Sequence, residues 1–257
     1  MLRSLKSFHG NFVDAVDGEI GSVARFLIDT DRWVVRYLVV DTGDWWQGHE
    51  VLISPLAVGQ IDGDRARIAL SRTRDEVRNS PPYDASQPLT RDHEATLLAH
   101  YRYPVYWAGP HLWGPTPFAT AFVPPPSGPG PEDRQASSRT AVIDRELSGL
   151  ADSQTVIGTH IHAADGDIGH VDDGLAEDQS WILRYLVADT SNWWIGKHVL
   201  ISPQWVERLD WRERKLHVVL ERQAIRSAPE YDPSTPLARA DETALYQHYG
   251  RSPYWRA

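Results

Sequence analysis

Trp33-Val34-Val35-Arg36-Tyr37-Leu38-Val39-Val40-Asp41-Thr42-Gly43 is the stretch that decides the fold. Residues 33–40 are apolar and β-branched apart from Arg36, which predicts a buried central strand. Asp41-Thr42-Gly43-Asp44 is turn chemistry. The heart of the stretch returns as Arg184-Tyr185-Leu186-Val187-Ala188-Asp189-Thr190. Outward from this pair, Val51-Leu52-Ile53-Ser54-Pro55 returns as Val199-Leu200-Ile201-Ser202-Pro203, and Gly18-Glu19-Ile20-Gly21 as Gly166-Asp167-Ile168-Gly169. Pro88-Leu89, His100-Tyr101 and Tyr106-Trp107 return as Pro236-Leu237, His248-Tyr249 and Tyr254-Trp255. One offset of about 148 residues aligns all of these without a gap, with roughly 37 of 90 positions identical. The unit is too long for a solenoid, so the chain is a duplicated domain.

Within a copy, Glu19–Asp29 reads as a strand bent at Gly21. Glu50–Ser54 is a short strand ended by Pro55, and Ala66–Leu70 is another. Short strands at close spacing point to a small barrel. Thr73 and Glu76 match a helix capping box. Thr90 precedes a second helix with acidic residues in its first turn and Leu97, Leu98 and Tyr101 as its apolar face. The extended Pro81-Pro82-Tyr83-Asp84 separates the two helices. The organisation is therefore repeat 1 over 1–108, a proline-rich linker over 109–140 and repeat 2 over 141–257. In the linker, Trp113, Phe118 and Phe122 predict that its first part packs on a domain, while 127–138 is expected to be mobile. The closing Tyr-Trp of each copy is expected to fold back onto a barrel, its own or the other copy's.

Of the 257 residues 41% are hydrophobic and 24% charged, ordinary values for a globular protein. The formal charge of −9 argues against nucleic acid as a partner. With no cysteine, disulfides, thiolate catalysis and thiolate-bound metals are excluded, and a cytoplasmic location is expected. The N-terminus has no signal-peptide core, and no apolar run reaches membrane-spanning length.

The pattern Gly-x-Ile-Gly, Trp-x-x-Arg-Tyr-Leu-Val-Val-Asp-Thr-Gly, Val-Leu-Ile-Ser-Pro and Asn-Ser-Pro-Pro-Tyr-Asp resembles the PRC-barrel family. That is the fold of the cytoplasmic part of the photosynthetic reaction-centre H subunit, also found in ribosome maturation factors. The resemblance covers about residues 5–107 and 153–255. It implies a mainly β fold: two tandem small PRC-type β-barrels, each followed by the two short α-helices read above. The duplication predicts that the copies pack as a pseudo-two-fold pair, since duplicated domains often keep an ancestral dimer interface. It implies a module that docks on a partner and brings no catalytic residue and no cofactor. A photosynthetic or electron-transfer association would follow by analogy of fold alone.

Trp45, Trp46, Trp193 and Trp194 follow the Asp-Thr turn in both copies. Neighbouring side chains on extended chain face opposite ways. Such a pair can cover the open end of the barrel, present an aromatic anchor to a partner, or do both. Asp41 and Asp189, near Arg36 and Arg184, read as turn formers. His160, His162, Asp165 and His170, with Asp167, Asp172 and Asp173 beside them, are a candidate metal-ligating cluster peculiar to repeat 2. Repeat 1 has Phe12, Asp14 and Ser22 at the three histidine positions. His100 and His248 end the last helix of each copy, where they can meet helix carbonyls. No phosphate loop, nucleophile elbow or His-Glu-x-x-His motif is present.

Two functions follow. One is a non-enzymatic adaptor, monomeric with an internal pseudo-dimer or weakly dimeric, that binds a protein or a membrane-associated complex. The other is a small-molecule or metal-binding protein that uses a cleft between the copies or the His160/His162 cluster.

Overall fold

The computed structural model describes residues 1–46, 48–122, 147–190 and 197–256, without the side chains of Asp44 and Trp45. Repeat 1 runs β1 (Leu2–Ser4), α1 (Leu5–Phe8), β2 (Phe12–Ala15), β3 (Gly18–Asp29), β4 (Val34–Asp41), β5 (Glu50–Ile53), β6 (Val58–Asp62), β7 (Arg67–Leu70), α2 (Arg74–Arg78) and α3 (Arg91–His100). Repeat 2 has the same succession: β8 (Leu150–Asp152), α4 (Ser153–Val156), β9 (His160–Ala163), β10 (Gly166–Glu177), β11 (Leu183–Asp189), β12 (His198–Ile201), β13 (Val206–Asp210), β14 (Lys215–Val218), α5 (Arg222–Arg226) and α6 (Arg239–His248). The fold is mainly β, in two mixed seven-stranded sheets. No helix among the described residues is long and apolar enough to cross a membrane.

The strand predicted from 33–40 is β4, buried throughout from Val34 to Val40. It lies between β3 and β5 in the order β5-β4-β3-β2-β7-β6, and repeat 2 repeats this as β12-β11-β10-β9-β14-β13. The β2–β7 and β9–β14 ladders are parallel. The end strands β5 and β6 are not joined by a ladder among the described residues, so hydrogen bonding does not close the barrel that the resemblance implied. The reason is local. Ser54 caps a short 3-10 turn, Pro55–Ala57, that connects β5 directly to β6. Pro55 has no N–H to donate, and the peptide chain itself spans the gap.

The long strands do the organising. β3 and β10 are each twelve residues long and change partner part-way. The first part of β3 pairs with β2, and the part from Ser22 onward pairs with β4. Gly21 sits at the change, with φ 149°, and a Cβ there would lie 2.0 Å from the Asp41 carbonyl oxygen. Gly169 is the same in repeat 2, with φ 128° and 2.1 Å to the Asp189 carbonyl oxygen. The bend expected at Gly-x-Ile-Gly is thus a site where two backbones touch.

Contacts divide the chain into unit 1 (Met1–Ser7, Asp152–Asp178, Ile182–Ala257) and unit 2 (Phe8–Ala151, Gln179–Trp181). These units do not follow the repeat boundaries at 108 and 141. In unit 1, β1 pairs with β10 through Leu2↔Glu177, Arg3↔Ala176 and Ser4↔Leu175. In the other sheet, β8 pairs with β3. The opening strand of each repeat therefore completes the sheet built by the other. Charge fits β1 to its place. Lys6 Nζ is 2.6 Å from Asp172, Arg3 Nε is 3.4 Å from Asp178, and Asp173 accepts from Ser4 Oγ and, at 3.1 Å, from the Lys6 amide. Burial pushes the Asp173 carboxyl up from its ordinary value, against these donors. The repeat-1 counterparts of Asp172, Asp173 and Asp178 are Ala24, Arg25 and Thr30, which offer no such acidic edge.

The start of the proline-rich segment packs on unit 2, as its aromatics predict. Trp113 is buried and its Nε1 donates to the Ser180 carbonyl at 3.0 Å. Trp181 stacks on Phe8 at 5.7 Å. Residues 127–138 lie outside the described residues.

The backbone contact at Gly21 sets up a direct test. Gly21→Ala is expected to destabilise the protein by on the order of 3 kcal/mol or more, from combined strain and overlap. Gly10→Ala has a positive φ of 79° but nothing within 4 Å of the new methyl, so it meets only backbone strain, about 1–2 kcal/mol. Chemical denaturation that finds Gly21→Ala no worse than Gly10→Ala would show that the close approach is not a constraint.

Candidate functional site

Three sets of chemistry-bearing residues stand out, and they differ in how the two repeats share them. The first is a buried polar lock present in both. Tyr106, in the tail after α3, donates to Glu94 Oε1 at 2.8 Å, and Arg91, one turn before Glu94 on α3, reaches Glu94 Oε2 at 2.9 Å. The Arg36 guanidinium lies 3.9 Å above the Tyr106 ring, and Arg91 flanks that ring at 5.4 Å. In repeat 2, Tyr254 and Tyr185 donate to Glu242 Oε1 at 3.0 and 2.9 Å, and Arg239 reaches Glu242 Oε2 at 2.9 Å. Arg184 and Arg239 flank the Tyr254 ring at 4.2 and 5.6 Å. Arg36 is anchored by Asp29 at 2.8 Å and Arg184 by Glu177 at 2.7 Å. The adjoining Trp107 and Trp255 are half-buried beneath Arg91 and Arg239 at 4.8 and 4.2 Å. Each Tyr-Trp tail therefore folds back on the last helix of its own repeat.

Burial raises the Glu94 carboxyl above its ordinary value, although Tyr106 and Arg91 oppose the shift. Burial and the neighbouring Glu94 push the Tyr37 and Tyr106 hydroxyls up. The Tyr37 hydroxyl, counterpart of the Tyr185 donor, is buried near the same carboxylate. In the sequence Glu94 is one of the acidic residues at the start of its helix, with nothing local to set it apart. It is fully buried, because the tail brings Tyr106 over it. The recurrence of Arg91-x-x-Glu94 as Arg239-x-x-Glu242 ahead of each Tyr-Trp was the signal that marked the lock.

The second set is the loop after the central strand. Gly43–Trp46 is a 3-10 turn, and the Gly43 amide donates to Asp41 Oδ1 at 2.9 Å. Asp41 is thus the turn former expected. It is exposed and stands apart from Arg36 and Asp29. Thr42 clamps the loop: its amide and its Oγ1 both donate to the His49 carbonyl, at 3.1 and 2.7 Å. Thr190 does the same to the Lys197 carbonyl, at 3.3 and 3.1 Å. Trp46 is half-buried, with its ring 5.0 Å from His49. The Trp45 side chain, Trp193 and Trp194 lie outside the described residues.

The third set is the outward face of unit 1's sheet. β9 and β14 alternate strictly, so Ile161, Ala163, Leu216 and Val218 face the core while His160, His162, Lys215 and His217 face out. His160, His162, Asp165 and His170 do not gather into one group, and among the described residues no three His, Asp or Glu side chains are placed to hold a metal. Asp165 instead accepts from the Arg222 amide at 2.7 Å and caps α5, which holds its carboxyl below the usual range. His160 is exposed and His170 lies beside it on β10. Asp172 and Asp173 belong to the β1 contacts. His162 faces Asp167, with Nδ1 2.6 Å from Oδ1, and its ring centroid is 4.9 Å from that of His217, a residue the sequence reading did not single out. His100 and His248 donate through Nε2 to the carbonyls of Glu76 and Ala224, each at 2.8 Å, so they tie the last helix to the preceding one.

No protein-family model matches the chain. Over 78 residues it is 36% identical to an uncharacterized protein of Deinococcus radiodurans. The match takes in 30% of this chain and 28% of that relative, so the chain spans well under a third of the relative it matches. The similarity carries no activity with it.

The raised Glu94 carboxyl gives the lock a pH signature. A carboxyl whose pKa is higher folded than unfolded stabilises the fold fully below the unfolded value, about 4.3, and loses that contribution as pH climbs through the folded value. The melting temperature of wild type minus that of Glu94→Gln should therefore fall as pH rises above about 4, then level off. A difference that is flat, or that rises over this range, would mean that Glu94 is not held against its burial.

Proposed function

We propose that the chain is a non-enzymatic docking protein: a tandem pair of PRC-type barrels that binds another protein or a membrane-associated complex through the loops after its central strands. The observation that carries this reading is the Thr42 and Thr190 clamp, repeated with the same donors and acceptor. A loop closed at its base by two hydrogen bonds has less freedom to lose when a partner orders it, which lowers the ordering cost of binding. Trp is the residue type most enriched among binding hot spots. The buried Glu94 and Tyr106 are engaged with Arg91, and the buried Glu242 with Tyr254 and Arg239, and these contacts hold the last helix and tail of each repeat together. The pseudo-two-fold pairing of the barrels and a cytoplasmic setting belong to the same proposal, the latter in keeping with a chain free of cysteine.

Recovery from native lysate tests it. Wild-type protein should retain a discrete partner, and the double substitution Trp46→Ala with Trp194→Ala should reduce its recovery roughly tenfold while the far-ultraviolet circular dichroism stays unchanged. Equal recovery by a folded double variant would end the case for these loops.

A further inference from the structure

We propose that His162 and His217 form a two-imidazole clip for a divalent transition ion of the zinc, nickel and copper class, on the outward face of unit 1. The inference is independent of the docking function. It starts from a row of side chains that crosses four strands. Asp167 on β10 is the register partner of His162 on β9, His162 is the partner of His217 on β14, and His217 is the partner of Arg208 on β13. Register partners on neighbouring strands place their side chains side by side on one face.

Three features fit an ion. The ring centroids of His162 and His217 are 4.9 Å apart, with a tilt of 60° between the planes. Two imidazoles bound tetrahedrally to one ion at 2.0–2.1 Å place their centroids about 5 Å apart. Asp167 takes the Nδ1 side of His162 at 2.6 Å, which fixes Nδ1 as the N–H and leaves the Nε2 lone pair free. A carboxylate on the far nitrogen of a metal-bound histidine is the usual way to orient the ring and raise its basicity. Finally, Nε2 of His217 is shielded from solvent and has no hydrogen-bond partner among the described residues, so no protein group competes with an ion for it.

The charges around the clip offset one another. Lys215 lies 3.8 Å from Asp167 and 3.9 Å from Glu213, and Arg208 lies 3.3 Å from Asp210. Imidazole nitrogen selects zinc, nickel or copper over magnesium or calcium. With two protein ligands, the site is weaker than a four-ligand structural zinc site. Repeat 1 has no counterpart. There the face carries Asp14 for His162, Ala69 for His217 and Arg67 for Lys215, and Arg67 bridges Asp14 and Glu19 at 2.6 and 3.2 Å.

Untagged protein titrated with zinc chloride and with nickel chloride near pH 7.5 tests the clip, read by calorimetry and by nuclear magnetic resonance of the histidine rings. One saturable site is expected, with the His162 and His217 ring signals shifting first. His162→Gln and His217→Gln should each weaken binding at least tenfold, and Asp167→Asn by about tenfold. His160→Ala and His170→Ala should leave it unchanged, and magnesium should not compete. Because each variant is compared by ring signals as well as heat, a misfolded one is recognised and the Asp167→Asn result stands in its place. Absence of saturable binding overturns the inference, as does binding that survives both glutamine substitutions or is lost with His160→Ala.

Discussion

The fold depends on two backbones touching where Gly21 meets the Asp41 carbonyl and Gly169 meets the Asp189 carbonyl. Any side chain there would push the strands apart. Without one, a single twelve-residue strand bends sharply and serves two sets of neighbours. Its first part holds the parallel β2–β7 or β9–β14 arm, and its second part holds the fully buried central strand. The edge left free past the bend takes the opening strand of the other repeat. Thr42 and Thr190 directly follow the touching carbonyls, so the base of each loop is positioned by the same contact.

On this common frame the repeats keep one polar device and diverge in another. The tyrosine held between two arginines over a buried glutamate recurs residue for residue, because it joins the last helix to the central strand in each copy. The outward face is under no such constraint. In repeat 1 it carries an arginine bridging two carboxylates, a saturated and inert arrangement. In repeat 2 the same three positions hold Lys215, His162 and Asp167, and His217 stands where repeat 1 has Ala69. The two copies share the strand order and differ in the chemistry of this face.

What the sequence revealed followed local rules. Residues 33–40 read as a strand because their pattern needs no distant information, and Thr73 with Glu76 form the expected capping box, three residues apart. The Gly-x-Ile-Gly bend and the packed Trp113 were legible for the same reason. What stayed hidden was tertiary. Leu2–Ser4 is too short to carry a pattern, and its place on β10 depends on acidic residues far along the chain. Glu94 looks like any first-turn acid until Tyr106 is brought back over it. Sequence proximity grouped His160, His162, Asp165 and His170, but sheet neighbours are set by register, and the parallel ladder brings in His217 instead.

The exchanged strand also imposes an order of events on synthesis. Arg3 and Asp178 are 175 residues apart in the chain. At ribosomal rates of about 5–20 residues per second, the first strand waits on the order of ten seconds before its partner strand exists. For that interval repeat 1 carries an unpaired sheet edge past its bend, the kind of surface that recruits strands from other molecules. Pairings between such distant residues are the slow ones in folding. A nascent neighbour on the same messenger carries an identical opening strand and an identical edge. The acidic residues Asp172, Asp173 and Asp178, absent from repeat 1, answer the basic Arg3 and Lys6 of the opening segment, so charge favours the edge of β10 over that of repeat 1.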